Sequence, residues 1–152
     1  MNFKLIVFLI INIGTLVIGS FLMDGGPQSV WYQTLNKAPW TPPGWVFGTA
    51  WSIIMICFSF YMAYLWPMLK NKKTLICLFT LQWILNVGWN PTFFYYEYVL
   101  AGLIVIIGLT ALIGFILLSY WTKLKLKSIL ILPYLIWLLI ATSLNGYILF
   151  YN

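Results

Sequence analysis

The chain has 152 residues, 63% hydrophobic and 7% charged, with a mean hydropathy of +0.98; no soluble domain of that length hides so much apolar surface, so the solvent is lipid. Its formal net charge of +6 comes from eight lysines, no arginine and two acids, Asp24 and Glu97. Histidine, the commonest metal ligand and general base, is absent, and Cys57 and Cys77 lie inside apolar runs where thiols act as packing residues, so neither a metal site nor a disulfide is expected; no nucleic-acid partner is expected either.

Five runs reach the roughly 20 apolar residues that a bilayer crossing needs: 3–23, 44–66, 74–94, 98–121 and 128–150. The expected fold is all-α, a single five-helix transmembrane domain over 1–152, with residues 24–43 as a long ordered loop between the first and second helices. The first run carries Lys4 and invites a signal-peptide reading. It is too long for such an apolar core and lacks a small-x-small cleavage site, so a retained helix is expected. With five spans, Lys4, Lys70, Lys72, Lys73, Lys123, Lys125 and Lys127 fall on one side and Lys37, Asp24 and Glu97 on the other. The positive-inside rule then puts the N-terminus in the cytoplasm, and the 24–43 loop and the C-terminus outside.

In that loop Gly25-Gly26 breaks the first helix, and Pro27 is expected to start a short helix carrying Val30, Trp31 and Leu35. The stretch Trp31–Trp51 packs aromatics and prolines around one lysine, Lys37. Pro39, Pro42 and Pro43 favour an extended, low-entropy backbone. Thr41 is expected to cap the next helix, with Pro42 and Pro43 in its first turn. Such a loop either covers a site or anchors in the membrane interface; composition alone leans toward the anchor. Beyond it, Phe47, Trp51, Met55 and Phe58 fall on one helical face.

The third run carries Gln82, Asn86 and Asn90 at intervals of four, with Trp89 and Phe93 beside them. Bare amides are costly in hydrocarbon, so this face must look into the bundle. It makes either interhelical hydrogen bonds or a polar rail in a ligand pocket, and the flanking aromatics tilt the reading to the pocket. Pro91 is expected to kink the end of this helix. In the fourth run Ala101, Gly108 and Ala111, with Gly114 at the edge, permit close packing, within the chain rather than across a dimer. In the fifth, Trp137, Ala141 and Asn145 make an i, i+4, i+8 stripe that suits a flat ligand lying against Ala141.

The pattern Trp-Tyr-x-x-Leu-x-Lys-x-x-Trp-x-Pro-Pro-x-x-x-Phe-x-x-x-Trp, from Trp31 to Trp51, resembles the signature of the translocator protein family, the tryptophan-rich sensory proteins or peripheral-type benzodiazepine receptors. Gln82-x-x-x-Asn86-x-x-Trp89 resembles that family's third helix. Pro133-Tyr134-x-x-Trp137-x-x-x-Ala141-x-x-Leu144-Asn145 resembles its fifth. The resemblance implies a five-helix bundle, usually a homodimer, whose pocket opens toward the first loop. The ligands it implies are porphyrins such as protoporphyrin IX, isoquinoline-carboxamide and benzodiazepine-type drugs, and cholesterol in mitochondrial members. It also implies a light-dependent degradation of protoporphyrin IX in some bacterial members, with Trp51 and Trp137 matching the tryptophans implicated and set in one pocket. Tyr32, Gln82, Asn86 and Ala141 map onto the pocket wall; Pro42, Pro43, Phe47, Met55, Trp89, Asn90 and Asn145 complete the expected ligand-binding set.

One departure stands out: Leu144 and Tyr147 are followed by Ile148–Asn152 without a basic residue, which counts against sterol binding through the family's C-terminal motif. No basic amphipathic segment precedes the first run, so a bacterial plasma membrane is expected. Three functions compete: a receptor or carrier for flat hydrophobic ligands, an enzyme that degrades porphyrin without a cofactor or an ordinary catalytic set, and a structural or regulatory partner protein with an incidental pocket.

Overall fold

The computed structural model describes residues 2–152, apart from the side chain of Asn2. Among them there is no strand. Helix α1 spans Asn2–Leu22, α2 Val30–Thr34, α3 Gly44–Met68, α4 Lys72–Asn90, α5 Val99–Leu124 and α6 Leu132–Tyr151. Three stretches, Phe3–Thr34, Gly44–Met68 and Val99–Tyr151, are long and apolar enough to cross a membrane. The last is folded as α5 and α6, joined by a 3-10 segment, Lys125–Ile131. Helix α4 does not qualify by that measure; Lys72, Lys73, Gln82, Asn86 and Asn90 dilute its apolar run.

The long helices pack in a ring, α1 on α3, α3 on α6, α6 on α5, α5 on α4, and α4 back on α1. Helix α3 supplies much of the core: Met55, Phe58, Tyr61, Met62 and Leu65 are fully buried. Between lipid-bathed helices the hydrophobic effect gives little net drive, so packing and cross-helix hydrogen bonds hold the ring, each bond contributing about 0.6 kcal/mol. Asn12 Nδ2 on α1 donates to Ser59 Oγ on α3 at 2.8 Å. Gln82 Nε2 on α4 donates to the Tyr134 hydroxyl on α6 at 2.8 Å. Thr110 on α5 and Thr142 on α6 meet at 3.3 Å.

The lysine-rich end is drawn together around the last turns of α3. Lys4 and Lys72 ammoniums lie 4.8 and 5.3 Å from the Trp66 ring, and that of Lys127 lies 4.2 Å from Tyr64. Lys72 also donates to the Trp66 and Leu69 carbonyls, capping the C-terminus of α3 with a cation.

The opposite end is closed by the connector after α1. Asp24, Gly25 and Gly26 all have positive φ, and a Cβ at Gly26 would push the Met23 side chain aside, so glycine is favoured there. Pro27 opens a single 3-10 turn, and α2 starts later than expected, at Val30, where the Ser29 hydroxyl accepts from the Tyr32 amide. Lys37 Nζ donates to the Tyr32 carbonyl at 3.2 Å and sits 5.1 Å from the Tyr32 ring. The lone lysine of the aromatic segment therefore caps α2. Thr41 is not the cap of α3. Its amide closes a turn onto the Ala38 carbonyl, and α3 begins at Gly44 after an extended Pro43. Thr41 and Pro42 each precede a proline, which keeps both out of the α region.

Three further features become visible in the structure. Pro91 opens a π-helical turn, Pro91–Tyr95, whose wide winding buries two consecutive rings, Phe93 and Phe94. Gly108 and Ala111 face outward instead of packing within the chain, and a Cβ at Gly108 would meet nothing within 4 Å. The close approach on α5 is at Gly102, where a Cβ would lie 3.1 Å from Phe93. Finally, residues 128–131 belong to the 3-10 segment, and α6 starts at Leu132, with Pro133 in its first turn.

Candidate functional site

A cavity of about 440 Å³ lies where α1, α3 and α4 meet the connector. Phe47, Gly48 and Trp51 come from α3, one face apart by a turn. Asn86, Trp89 and Asn90 come from α4, and Phe94 from the π turn. Helix α1 adds Thr15, Gly19 and Ser20, and the connector adds Met23 and Gln28. The glycines hold it open: a Cβ at Gly44 or Gly48 would meet nothing within 4 Å.

A second hollow, a crevice of only about 20 Å³, lies on the other side of the same aromatic wall. Phe47, Trp89 and Phe94 line both hollows. Beyond them the crevice is closed by Tyr32, Phe93, Ala141, Leu144, Asn145 and Ile148. Tyr32 is held over it by Phe93 and Phe94, at ring distances of 6.3 and 5.5 Å. Trp89 and Phe93 stack at 5.4 Å, and the Trp89 indole donates to Asn145 Oδ1 at 3.1 Å, tying α4 to α6 through the wall. The connector is pinned above: Asn36 and Asn152 exchange two hydrogen bonds, and the Trp40 indole donates to Ser143 Oγ at 3.1 Å.

The expected ligand residues divide between these hollows. Phe47, Trp51, Asn86, Trp89 and Asn90 line the cavity; Tyr32, Ala141 and Asn145, with Phe47 and Trp89 again, line the crevice. Met55 is fully buried in the core, and Gln82 is fully buried with its amide on Tyr134. Pro42 and Pro43 border neither hollow; they set where α3 starts. Of the tryptophan pair, Trp51 borders the cavity and Trp137 lies in the wall behind it. Trp51 is on the cavity wall, edge-on to Tyr134 at 5.8 Å, while Trp137 borders neither hollow and lies edge-on to Phe47 at 5.5 Å. Phe47, one turn before Trp51 on α3, supplies that contact with Trp137.

Buried polar atoms remain unpaired in and behind these walls. Asn86 Nδ2, Gln82 Oε1, Trp137 Nε1 and Asn145 Nδ2 have no partner among the described residues. In apolar surroundings each costs free energy until something bonds it. Of the four, Asn86 lines the cavity and Asn145 the crevice, so each hollow has one amide donor in its wall for an acceptor-bearing apolar molecule. No cluster of His, Cys, Asp or Glu that could hold a metal occurs among the described residues.

The aromatic segment, the α4 amides and the α6 stripe thus converge from three parts of the chain, and the chain as a whole is similar to known proteins. A family model described as the TspO/MBR family matches residues 5–151. The chain belongs to the TspO/MBR family. Tryptophan-rich protein TspO of Chlorobaculum tepidum is 37% identical over 83% of this chain and 82% of its own length. Tryptophan-rich protein TspO of Archaeoglobus fulgidus is 34% identical over 84% of this chain and 82% of its own length. The translocator protein of Homo sapiens is 30% identical over 76% and 70%. The long apolar helices and this membership make the chain an integral membrane protein with a receptor or transporter role.

For this TspO/MBR member, the α1 contribution to the cavity escaped the sequence reading. Thr15 and Gly19, four apart, with Ser20 beside them, are a patch of small and polar residues in the second half of a largely apolar helix. That patch was the available signal. Phe94 was hidden because its inward direction depends on the π turn.

Proposed function

We propose that this chain is a membrane receptor or carrier for porphyrins such as protoporphyrin IX, and for isoquinoline-carboxamide or benzodiazepine-type molecules, which enter the cavity beside α1. One observation carries the reading: a cavity of about 440 Å³, within the roughly 300–1,000 Å³ range of ligand pockets, walled by Phe47, Trp51 and Trp89 with an unpaired amide donor at Asn86. Aromatic walls favour offset or edge-on contact with a flat ring system. A macrocycle larger than the cavity gains room by turning Phe47 and Trp89, which joins the cavity to the crevice and brings Tyr32, Ala141 and Asn145 into contact with it. The connector over residues 24–43 then acts as a lid.

In this reading α1, α3, α4, α5 and α6 all cross a bacterial plasma membrane, α4 among them because its amides face the bundle. The lysine end is cytoplasmic, and the connector and C-terminus are outside. Two copies pair as a homodimer. Cysteine placed at Asn36 is expected to react with an impermeant thiol reagent in intact cells; labelling only after lysis reverses the orientation.

Trp51 on the cavity wall favours a second activity, light- and oxygen-dependent loss of bound porphyrin. Phe keeps aromatic area but is much harder to oxidise. The deciding experiment titrates the purified protein with protoporphyrin IX in the dark, then illuminates it and follows the porphyrin absorption band. Trp51→Phe is expected to slow photodegradation far more than it weakens dark binding, and Trp137→Phe to do the same once the turned Phe47 opens the Trp137 ring to the porphyrin. If degradation merely follows occupancy, the tryptophans are walls. Absence of saturable dark binding overturns the receptor reading and leaves a structural partner protein with an incidental pocket.

A further inference from the structure

A third hollow lies at the lysine end, between α1, the last turns of α3 and the start of α4, with a volume of about 380 Å³. Its shape follows from two helices that both start at that end. Lys4, Val7, Phe8 and Ile11 form an i, i+3/i+4, i+7 row on α1, and Leu75, Phe79 and Trp83 form the matching row on α4. At ~1.5 Å of rise per residue the α1 row runs roughly 10 Å along the helix axis, so this is a groove and not a basin. Its inner wall is rigid: Phe8 lies edge-on to Phe79 at 5.1 Å and to Trp66 at 6.0 Å. Its outer rim is open, since Ile11, Ile76 and Thr80 are exposed.

The mouth carries one available cation. Lys72 is occupied by the carbonyls that end α3. Lys4 sits over the Trp66 ring at 4.8 Å, and no hydrogen bond or ion pair engages its ammonium among the described residues. Both acids of the chain follow helix ends at the far side, Asp24 after α1 and Glu97 after the π turn, so no carboxylate competes. Lys70 and Lys73 add positive charge nearby.

We propose that this groove holds one acyl chain of an anionic phospholipid, with the lipid phosphate against Lys4. An elongated apolar groove open to the bilayer fits a chain rather than a flat ring, and an uncompensated lysine at its interfacial mouth complements a phosphate. Bulk lipid solvates the chain about as well as the groove does. Selectivity therefore resides in the headgroup: one lysine at the membrane surface gives roughly a fivefold preference for an anionic over a zwitterionic lipid. The proposal rests on the chain being membrane-embedded, and on neither its orientation nor its porphyrin binding.

The test uses the purified full chain in neutral detergent without porphyrin. It is offered equimolar palmitoyl-oleoyl phosphatidylglycerol and phosphatidylcholine, and the retained lipid is weighed by native mass spectrometry. The expected result is one retained phosphatidylglycerol at roughly fivefold preference. Lys4→Gln should bring the preference to parity, Lys4→Arg should restore it, and Lys70→Gln with Lys73→Gln should leave it in place. Thr80→Trp, which fills the groove from its exposed rim, should abolish retention. Equal retention of both lipids by the unaltered chain overturns the proposal. So does a loss in the Lys70/Lys73 variant equal to that in Lys4→Gln, which would mean a diffuse basic surface. If Thr80→Trp keeps its lipid but changes the oligomer distribution, the groove is a seam between copies and the proposal falls.

Discussion

The cavity beside α1 and the crevice beside α6 share Phe47, Trp89 and Phe94, yet one encloses about 440 Å³ and the other about 20 Å³. The wall is common, so the difference comes from what stands opposite. Facing the cavity are Thr15, Gly19, Ser20, Gly44 and Gly48 beside the larger Leu16 and Met23; facing the crevice are Tyr32, Phe93, Leu144, Asn145 and Ile148, with one small side chain, Ala141. Side-chain volume, supplied by a few small residues on α1 and α3, decides which side of the wall is hollow. The polar groups do not sort the same way: Asn86 serves the cavity and Asn145 the crevice, and each carries an unpaired amide nitrogen.

This contrast is breakable. The largest effect is expected where volume is added to the filled side. Ala141→Leu overpacks the crevice and should cost about 1–3 kcal/mol of stability, whereas Gly48→Leu, whose Cβ meets no neighbour, should cost nothing measurable. Thermal unfolding of both variants in detergent measures the difference; equal losses would mean that the two sides do not differ in packing.

Ligand binding sharpens it next. Asn86→Leu removes a donor at the cavity and should weaken a carbonyl-bearing ligand by about 1–3 kcal/mol while sparing a purely apolar one of similar size. Equal weakening of the two would reduce Asn86 to packing. Filling the cavity directly, Gly48→Phe should weaken dark porphyrin binding at least tenfold, about 1.4 kcal/mol, read by fluorescence quenching. Unchanged affinity would move the porphyrin elsewhere. The smallest effect expected is Gly48→Ala, a gain below about 1 kcal/mol from helix propensity alone, since its added methyl meets no neighbour; a loss of stability would show that this turn of α3 is more crowded than the geometry indicates.

Much of this was legible along the chain. Met55 and Phe58 are fully buried with Phe47 and Trp51 on the same side, as the period along α3 requires. Gln82 and Asn86 are buried, and so are Trp137, Ala141 and Asn145. The lysines expected on one side meet at one end, where Lys4, Lys72 and Lys127 approach Trp66 and Tyr64. Helical periodicity and charge placement are properties of single segments, so a sequence carries them openly.

What the sequence determined by itself is therefore the environment, the inward face of each helix and the polarity of the two ends. Lipid demands apolar runs, and a buried amide demands a partner wherever it sits. Tertiary structure alone decided which inward faces meet. A helical period gives a side chain's angle about its own axis but says nothing of the neighbour across the gap. Thus Trp51 and Trp137 both lie on inward faces, yet Trp51 meets Tyr134 and Trp137 meets Phe47. Gly108 and Ala111 form a small-residue face, yet α5 turns that face outward and uses Gly102 against Phe93 instead. The cavity is the residue of such choices, because an empty volume is set by the difference between opposing side chains on separate helices, a quantity no single segment contains.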